Sequence, residues 1–216
     1  MGDGQRIVIV GAGGFGREVL DVLRAMDPDQ SQFEFVGFVA EDKPDPDLLA
    51  RIDASWLGTP SAFLSAPTAS CYVIGIASPP ARERLAEQFD AAGIEPTTLI
   101  HPTATLGRDV VLGAGSVMAA GSSVTTNIRV GRHVHLDRHV TVGHDCIIGD
   151  FVTIHPGVVL SGGVTIDSGT LLGTTSCIMP GRSLGSDVIV GAGALVTRDV
   201  AVGSTVVGIP ARPLSR

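Results

Sequence analysis

Every sixth residue from Ile100 to Val202 is Ile, Leu, Val or Met, eighteen positions in succession in a chain of 216 residues. With roughly a third of positions apolar, such a run arises by chance with a probability on the order of 10⁻⁹, so this repeat constrains the fold more than any other feature. A period of six fits neither an α-helix nor a lone strand, whose apolar periods are about 3.6 and 2. It fits a chain that turns a corner in every hexad. The fourth residue after each large one is Ala, Val, Ser, Thr, Ile or Cys in seventeen hexads, with Arg182 the exception. One large and one small side chain per hexad then fill a narrow interior. Glycine often follows the large residue, as at Gly107, Gly131, Gly143 and Gly173, where we expect corners with φ values that a Cβ disfavours. Three hexads per coil predict a parallel β-helix of six coils, roughly 29 Å long at about 4.8 Å per strand.

Charge is uneven along the chain. Residues 1–100 carry 7 basic and 15 acidic side chains, and the remainder 8 and 7. This excess of acid offers nothing to nucleic acid or to an anionic membrane. The apolar start, Arg6 to Val10, is too short for a signal-peptide core, and no window approaches a membrane span. Cys71, Cys146 and Cys177 lack metal-ligand spacing and read as reduced core residues of a cytoplasmic protein.

The first hundred residues read as a half-size Rossmann-like α/β unit. A buried strand, Arg6 to Val10, runs into Gly11-Ala-Gly-Gly-Phe-Gly16 and a helix from Arg17 to Met26. In that setting glycines let backbone N–H groups approach a phosphate at the positive end of a helix. Further strands are expected at Phe33–Val39, ending at Glu41, and at Cys71–Ile76. A second helix follows over Ala81–Ala92, and Pro44 to Pro60 is expected to be irregular. Half of a dinucleotide fold suits one nucleotide better than NAD. The expected domains are residues 1–96, binding a nucleotide sugar, and residues 97–216, the β-helix.

All six histidines lie in the repeat. A prism interior is a poor place for imidazoles, so His101, His133, His135, His139, His144 and His155 are expected outside it or at corners. His144 has an acidic neighbour and flanking glycines in Val142-Gly-His-Asp-Cys-Ile-Ile-Gly149. A neutral imidazole suits proton removal from an attacking amine or hydroxyl, and Asp145 or Asp137 would hold the ring. Gly162 falls one coil above His144, leaving space beside it. No pair of histidines combines with a carboxylate or cysteine at a familiar metal spacing, so no metal is expected.

The chain resembles the hexapeptide-repeat sugar acyltransferases, in particular the bacillosamine- and perosamine-pathway N-acetyltransferases and the sialic-acid-associated O-acetyltransferases. The residues that carry the resemblance are Gly11-Ala-Gly-Gly-Phe-Gly16, Gly37-Phe-Val39, Ile74-Gly75, His101-Pro102, His144 to Gly149, Ser161 to Ile166 and Val207-Gly-Ile-Pro-Ala-Arg212. It implies left-handed coils, a homotrimer with sites between adjacent prisms, acetyl-CoA as cosubstrate, and a nucleotide-linked amino sugar held by the N-terminal domain. His144 falls on the family's general base and Asp145 on its acidic neighbour. Gly162, Thr174 and Ala192 fall on positions that touch the CoA arm, and Arg212 lies in the tail at its far end. Gly11, Gly13, Gly14, Phe15, Gly16, Glu41, Gly75 and Ile76 fall on the substrate side. Ala40-Glu41 replaces the family's Asp-Asp, Thr153 a family histidine, and Asp137 a family asparagine. Sugar O-acetylation, a noncatalytic trimeric scaffold and a γ-carbonic-anhydrase-like metal enzyme are the competing readings.

Overall fold

The computed structural model describes residues 4–27, 29 and 32–214. The chain divides into two compact units, one ending at Leu99 and one beginning at Ile100.

In the first unit, β1 (Gln5–Val10), β2 (Phe33–Val39), β3 (Cys71–Ile74) and β4 (Glu95–Pro96) form one parallel sheet in the order β2-β1-β3-β4. Ile7 to Val10 are at most 1% exposed, as a central strand flanked on both sides requires. Helix α1 (Gly14–Met26) starts three residues before the expected Arg17. The Pro44 to Pro60 segment is not wholly irregular, because it contains α2 (Pro46–Arg51) and leads into α3 (Pro60–Ser65). Asp45 accepts a hydrogen bond from the Asp47 amide, Thr59 from that of Ala62, and a proline opens each helix. Helix-start chemistry had the composition of a loop. Helix α4 (Pro79–Ala91) follows β3, and the two-residue β4 carried no sequence signal.

The second unit is a parallel β-helix of three sheets. We number them by chain order within a coil from Val110: sheet one has five strands, sheet two eight and sheet three six. Pairing is offset by eighteen residues throughout the body, as in Arg129↔Ile147 on sheet one, His135↔Thr153 on sheet two and Thr141↔Val159 on sheet three. Large residues from Met118 to Val196 and the small ones between them form a single buried core. Arg182, the exception to the small-residue rule, turns its guanidinium outward to the Pro180 carbonyl and Asp199.

The corners are built differently from the sequence expectation. Left-handed backbone falls on the third residue after the large one, where Asp109, Asn127, His133, His139, Asp145, Phe151, Thr175 and Asp187 all have φ between 53° and 60°. The glycines directly after the large residues serve close stacking instead. At Gly143, Gly149 and Gly173 a Cβ would lie 2.6–2.8 Å from backbone nitrogen one coil above. The six-residue register also ends before Val202, which is 70% exposed. The corner after Val196 is two residues shorter, so Val200 bridges Leu184 and Val206 pairs with Val190.

Two histidines are buried although they lie outside the prism interior, His133 at a corner and His135 between the inward Val134 and Leu136. His133 and His135 are 0% and 1% exposed. His133 stands on a left-handed corner with its ring stacked on Phe151, centroids 5.4 Å apart and planes within 5°. Flat rings stacked coil on coil satisfy the rise between strands.

Candidate active site

The carboxyl ends of β1 and β2 open on a cleft of about 410 Å³, lined by Gly11, Gly13, Glu41, Asp42, Lys43, Ile76 and Arg84 among others. The glycines of the first loop divide into two kinds. A Cβ on Gly16 would run into the Gly11 carbonyl, and one on Gly75 would lie 2.5 Å from the Gly16 Cα, so these two let α1 pack on the strand ends. Gly13 and Gly14 have nothing within 4 Å of such a Cβ. Gly13 caps α1 without a side-chain hydrogen bond, and no acid stands in the first turn, so the helix keeps its positive end open. Gly14, Phe15, Gly16 and Gly75 do not line the cleft. Of its lining residues, Ala40 accepts through its carbonyl from the Trp56 indole at 3.1 Å, and the Lys43 ammonium sits 5.9 Å from the Trp56 ring.

Arg82 is a residue of this region that sequence reading missed. It is fully buried at the start of α4 and donates to the carbonyls of Ile76 (2.9 Å) and Ala77 (3.2 Å). Burial pulls its guanidinium down to about 9. An arginine in a charged helical stretch carries no signal of burial; only the fold turns it under the loop after β3.

On the β-helix, His144 and Asp145 occupy the corner that follows sheet three. The His144 Nδ1 lies 2.6 Å from Asp145 Oδ2, and the Asn127 amide donates to Asp145 Oδ1, also at 2.6 Å. Asn127 and Asp145 are eighteen residues apart and share the left-handed conformation, which aims both side chains along the corner. These two hydrogen bonds, the one from Asn127 first, hold the Asp145 carboxyl below its ordinary range. The carboxylate therefore stays ionised, and with Nδ1–H donated to it the ring presents a bare Nε2. The His144 side chain is 66% exposed in the single chain.

The space expected beside His144 is filled by the ring itself. A Cβ on Gly162 would lie 2.5 Å from both Cε1 and Nε2 of His144, so the imidazole rests on the bare glycine. The Gly163 amide donates to the His144 carbonyl at 2.8 Å, fixing the corner. Beneath it Cys146 is buried with its thiol against the Ser161 carbonyl, and burial pushes that thiol up.

Asp137 is not a partner of His144 within the chain. It is buried on the corner after sheet two, accepts from the Arg138 amide at 2.7 Å, and faces His155 Nδ1 at 4.0 Å. Thr174 and Ala192 stack on that same second corner, with the Gly193 amide bonded to the Thr174 carbonyl. Gly162 stands with His144 on the other corner, and Arg212 lies in the exposed tail strand Arg212–Pro213. One chain thus distributes these positions over two edges. Among the described residues no three His, Cys, Asp or Glu side chains gather as a metal site, and no helix is long and apolar enough to cross a membrane.

Residues 6–89 match the PglD N-terminal domain family, and residues 127–162 match the bacterial transferase hexapeptide family of six repeats. A GDP-perosamine N-acetyltransferase of Escherichia coli O157:H7 is 32% identical over 220 residues, covering 96% of each chain. The acetyltransferase domain of PglB from Neisseria gonorrhoeae FA1090, in complex with acetyl coenzyme A, matches with a TM-score of 0.84 and 29% identity over 98% of this chain and 100% of that one. PerB from Caulobacter crescentus, in complex with CoA and GDP-perosamine, matches with a TM-score of 0.87 and 27% identity over 97% of both chains.

Proposed function

The chain belongs to the hexapeptide-repeat sugar N-acetyltransferase family, and from that premise we propose that it transfers acetyl from acetyl-CoA to the amine of a GDP-linked amino sugar. The observation that carries the chemistry is the His144–Asp145 pair, with Nδ1 2.6 Å from Oδ2 and the carboxyl held below its ordinary range. The GDP assignment draws on the similarity to a GDP-perosamine N-acetyltransferase.

In this reading the amine nitrogen attacks the thioester carbonyl carbon while His144 Nε2 takes its proton. Asp145 stabilises the imidazolium without accepting that proton. As the C–S bond breaks, the imidazolium returns the proton to the departing thiolate, leaving an acetamide and free CoA. The N-terminal cleft would hold the nucleotide, with diphosphate at the open start of α1 and Gly13 and Gly14 leaving room for it.

A homotrimer fits the two-edge distribution, because a neighbouring prism can bring its Thr174 corner to the His144 corner of the first. Val111 and Ile147, 53% and 55% exposed on the sheet beside His144, are apolar surface for such a contact. Light scattering at micromolar concentration tests the assembly, and a mass of 22.2 kDa would exclude it.

The activity test incubates the protein with acetyl-CoA and GDP-perosamine, with UDP- and dTDP-linked 4-amino sugars in parallel. Thiol release with a hydroxylamine-resistant acetyl product is expected. A hydroxylamine-labile ester, or no transfer to any of these amines, overturns the reading.

A further inference from the structure

We propose that Asn127 is the positioning residue of the His144–Asp145 pair, fixing the plane of the carboxylate and through it the tautomer and basicity of the imidazole. The inference deepens the proposed function and rests on His144 being the base.

Asn127 is the chain's sole asparagine. It stands one coil below Asp145, with φ 55° against 60° there. Asparagine tolerates this left-handed backbone better than most residues. Three backbone contacts lock the corner: Asn127 N to the Arg108 carbonyl at 3.2 Å, Asp145 N to the Thr126 carbonyl at 3.1 Å, and Gly163 N to the His144 carbonyl at 2.8 Å. The amide Nδ2–H then meets Asp145 Oδ1 at 2.6 Å while Oδ2 meets His144 Nδ1 at 2.6 Å. With each oxygen held by a different neighbour, the carboxylate cannot rotate away from the ring.

The chemistry of the donor matters too. A primary amide holds the carboxylate without neutralising it, whereas a lysine or arginine there would drain the negative charge that stabilises the imidazolium. Of the other charged groups along this edge, Arg108 lies two coils below His144 and meets Thr126 and Asn127 through its backbone carbonyl. Below Asn127, Asp109 is paired with Arg129 at 2.8 Å. Above His144 come Gly162, Gly163, Pro180 and Gly181, and Arg182 turns toward Asp199. The only thiol against the corner, Cys146, is buried and bonded to carbonyls. Asp145 is thus the charge His144 feels most directly, and Asn127 decides where that charge points.

Two substitutions that keep the left-handed backbone separate positioning from folding. Asn127→Gly removes the donor, frees the carboxylate, and should shift the His144 titration downward. Asn127→Asp sets a second carboxylate beside the first and should shift it upward. The His144 imidazole is titrated by NMR in the full-length protein, its signal assigned by its loss in His144→Ala. With acetyl-CoA and GDP-perosamine, Asn127→Gly should lose roughly tenfold in kcat with the KM for acetyl-CoA unchanged. Opposite pKa shifts, with melting temperatures close to wild type, support the proposal. Shifts in the same direction, or His144 titrating as in wild type in both variants, overturn it. His144→Ala assayed alongside separates the two ideas: activity within threefold of wild type removes the base, while the NMR titration still decides what Asn127 does.

Discussion

Replacing Gly162 by alanine puts a methyl group where the His144 ring now lies. The new Cβ would stand 2.5 Å from Cε1 and Nε2 and 3.0 Å from Cδ2. Carbon atoms pack at about 3.5–4 Å, so the ring edge must retreat by about 1 Å. The side chain is 66% exposed, which lets it swing toward solvent without straining the prism core. Stability should therefore change little, by less than about 1 kcal/mol. A displacement of about 1 Å in a reacting group costs roughly 10²-fold, equivalent to about 2.7 kcal/mol of barrier. The assay is kcat/KM with acetyl-CoA and GDP-perosamine, measured for Gly162→Ala, for His144→Ala and for the double variant, with thermal melts of each. If the glycine acts through the ring, adding Gly162→Ala to His144→Ala should cost almost nothing more. A single variant within threefold of wild type, or a double variant in which the two losses multiply, would refute this reasoning.

Three further outcomes follow from named contacts. His144→Ala should lower kcat/KM by about 10²–10⁴-fold at pH 7 while CoA affinity, measured by calorimetry, is kept; the deficit should shrink toward pH 9, where the substrate amine is increasingly deprotonated without help. Gly13→Val should leave the melting temperature near wild type and raise the KM for the nucleotide sugar at least about tenfold by filling the cleft, whereas Gly16→Ala should unfold more easily because its methyl meets the Gly11 carbonyl. Arg82→Ala should cost about 2–4 kcal/mol in urea unfolding by stripping the Ile76 and Ala77 carbonyls of their donors and leaving a cavity. The depressed Arg82 pKa has a defined sign: the folded state binds its proton less tightly than the unfolded one. Its contribution therefore rises as pH climbs above about 9, until the unfolded guanidinium loses its proton as well.

Parts of the site were legible before any coordinates. His144 with Asp145 could be picked out because a histidine and a carboxylate are adjacent in sequence, and Gly162 because a strict repeat converts a separation of eighteen residues into vertical contact. The same arithmetic would have found Asn127, eighteen residues before Asp145, had the column been read downward as well as upward. Asp137 lies seven residues from His144, more than one hexad, and so falls on a different corner of the same chain.

The sequence by itself determined the β-helix and its position in the chain, because an apolar period of six leaves one way to bury every repeat. It determined the glycine-loop α/β unit from strand, loop and helix signals that are local. Tertiary structure alone decided what depends on the spacing between coils. Where glycine follows the large residue, from Gly107 to Gly191, the neighbouring coil leaves no room for a Cβ, so those glycines answer to that coil and not to their own φ. Left-handed corners fall on Asn127, Asp145 and His133 instead, and point the first two side chains along the edge that carries the base. Only the fold could bury Arg82 and His133, since burial of a polar side chain is settled by partners remote in sequence. Only the fold could end the register at Val196, where two missing residues let Val200 take the inward place that the pattern gave to Val202.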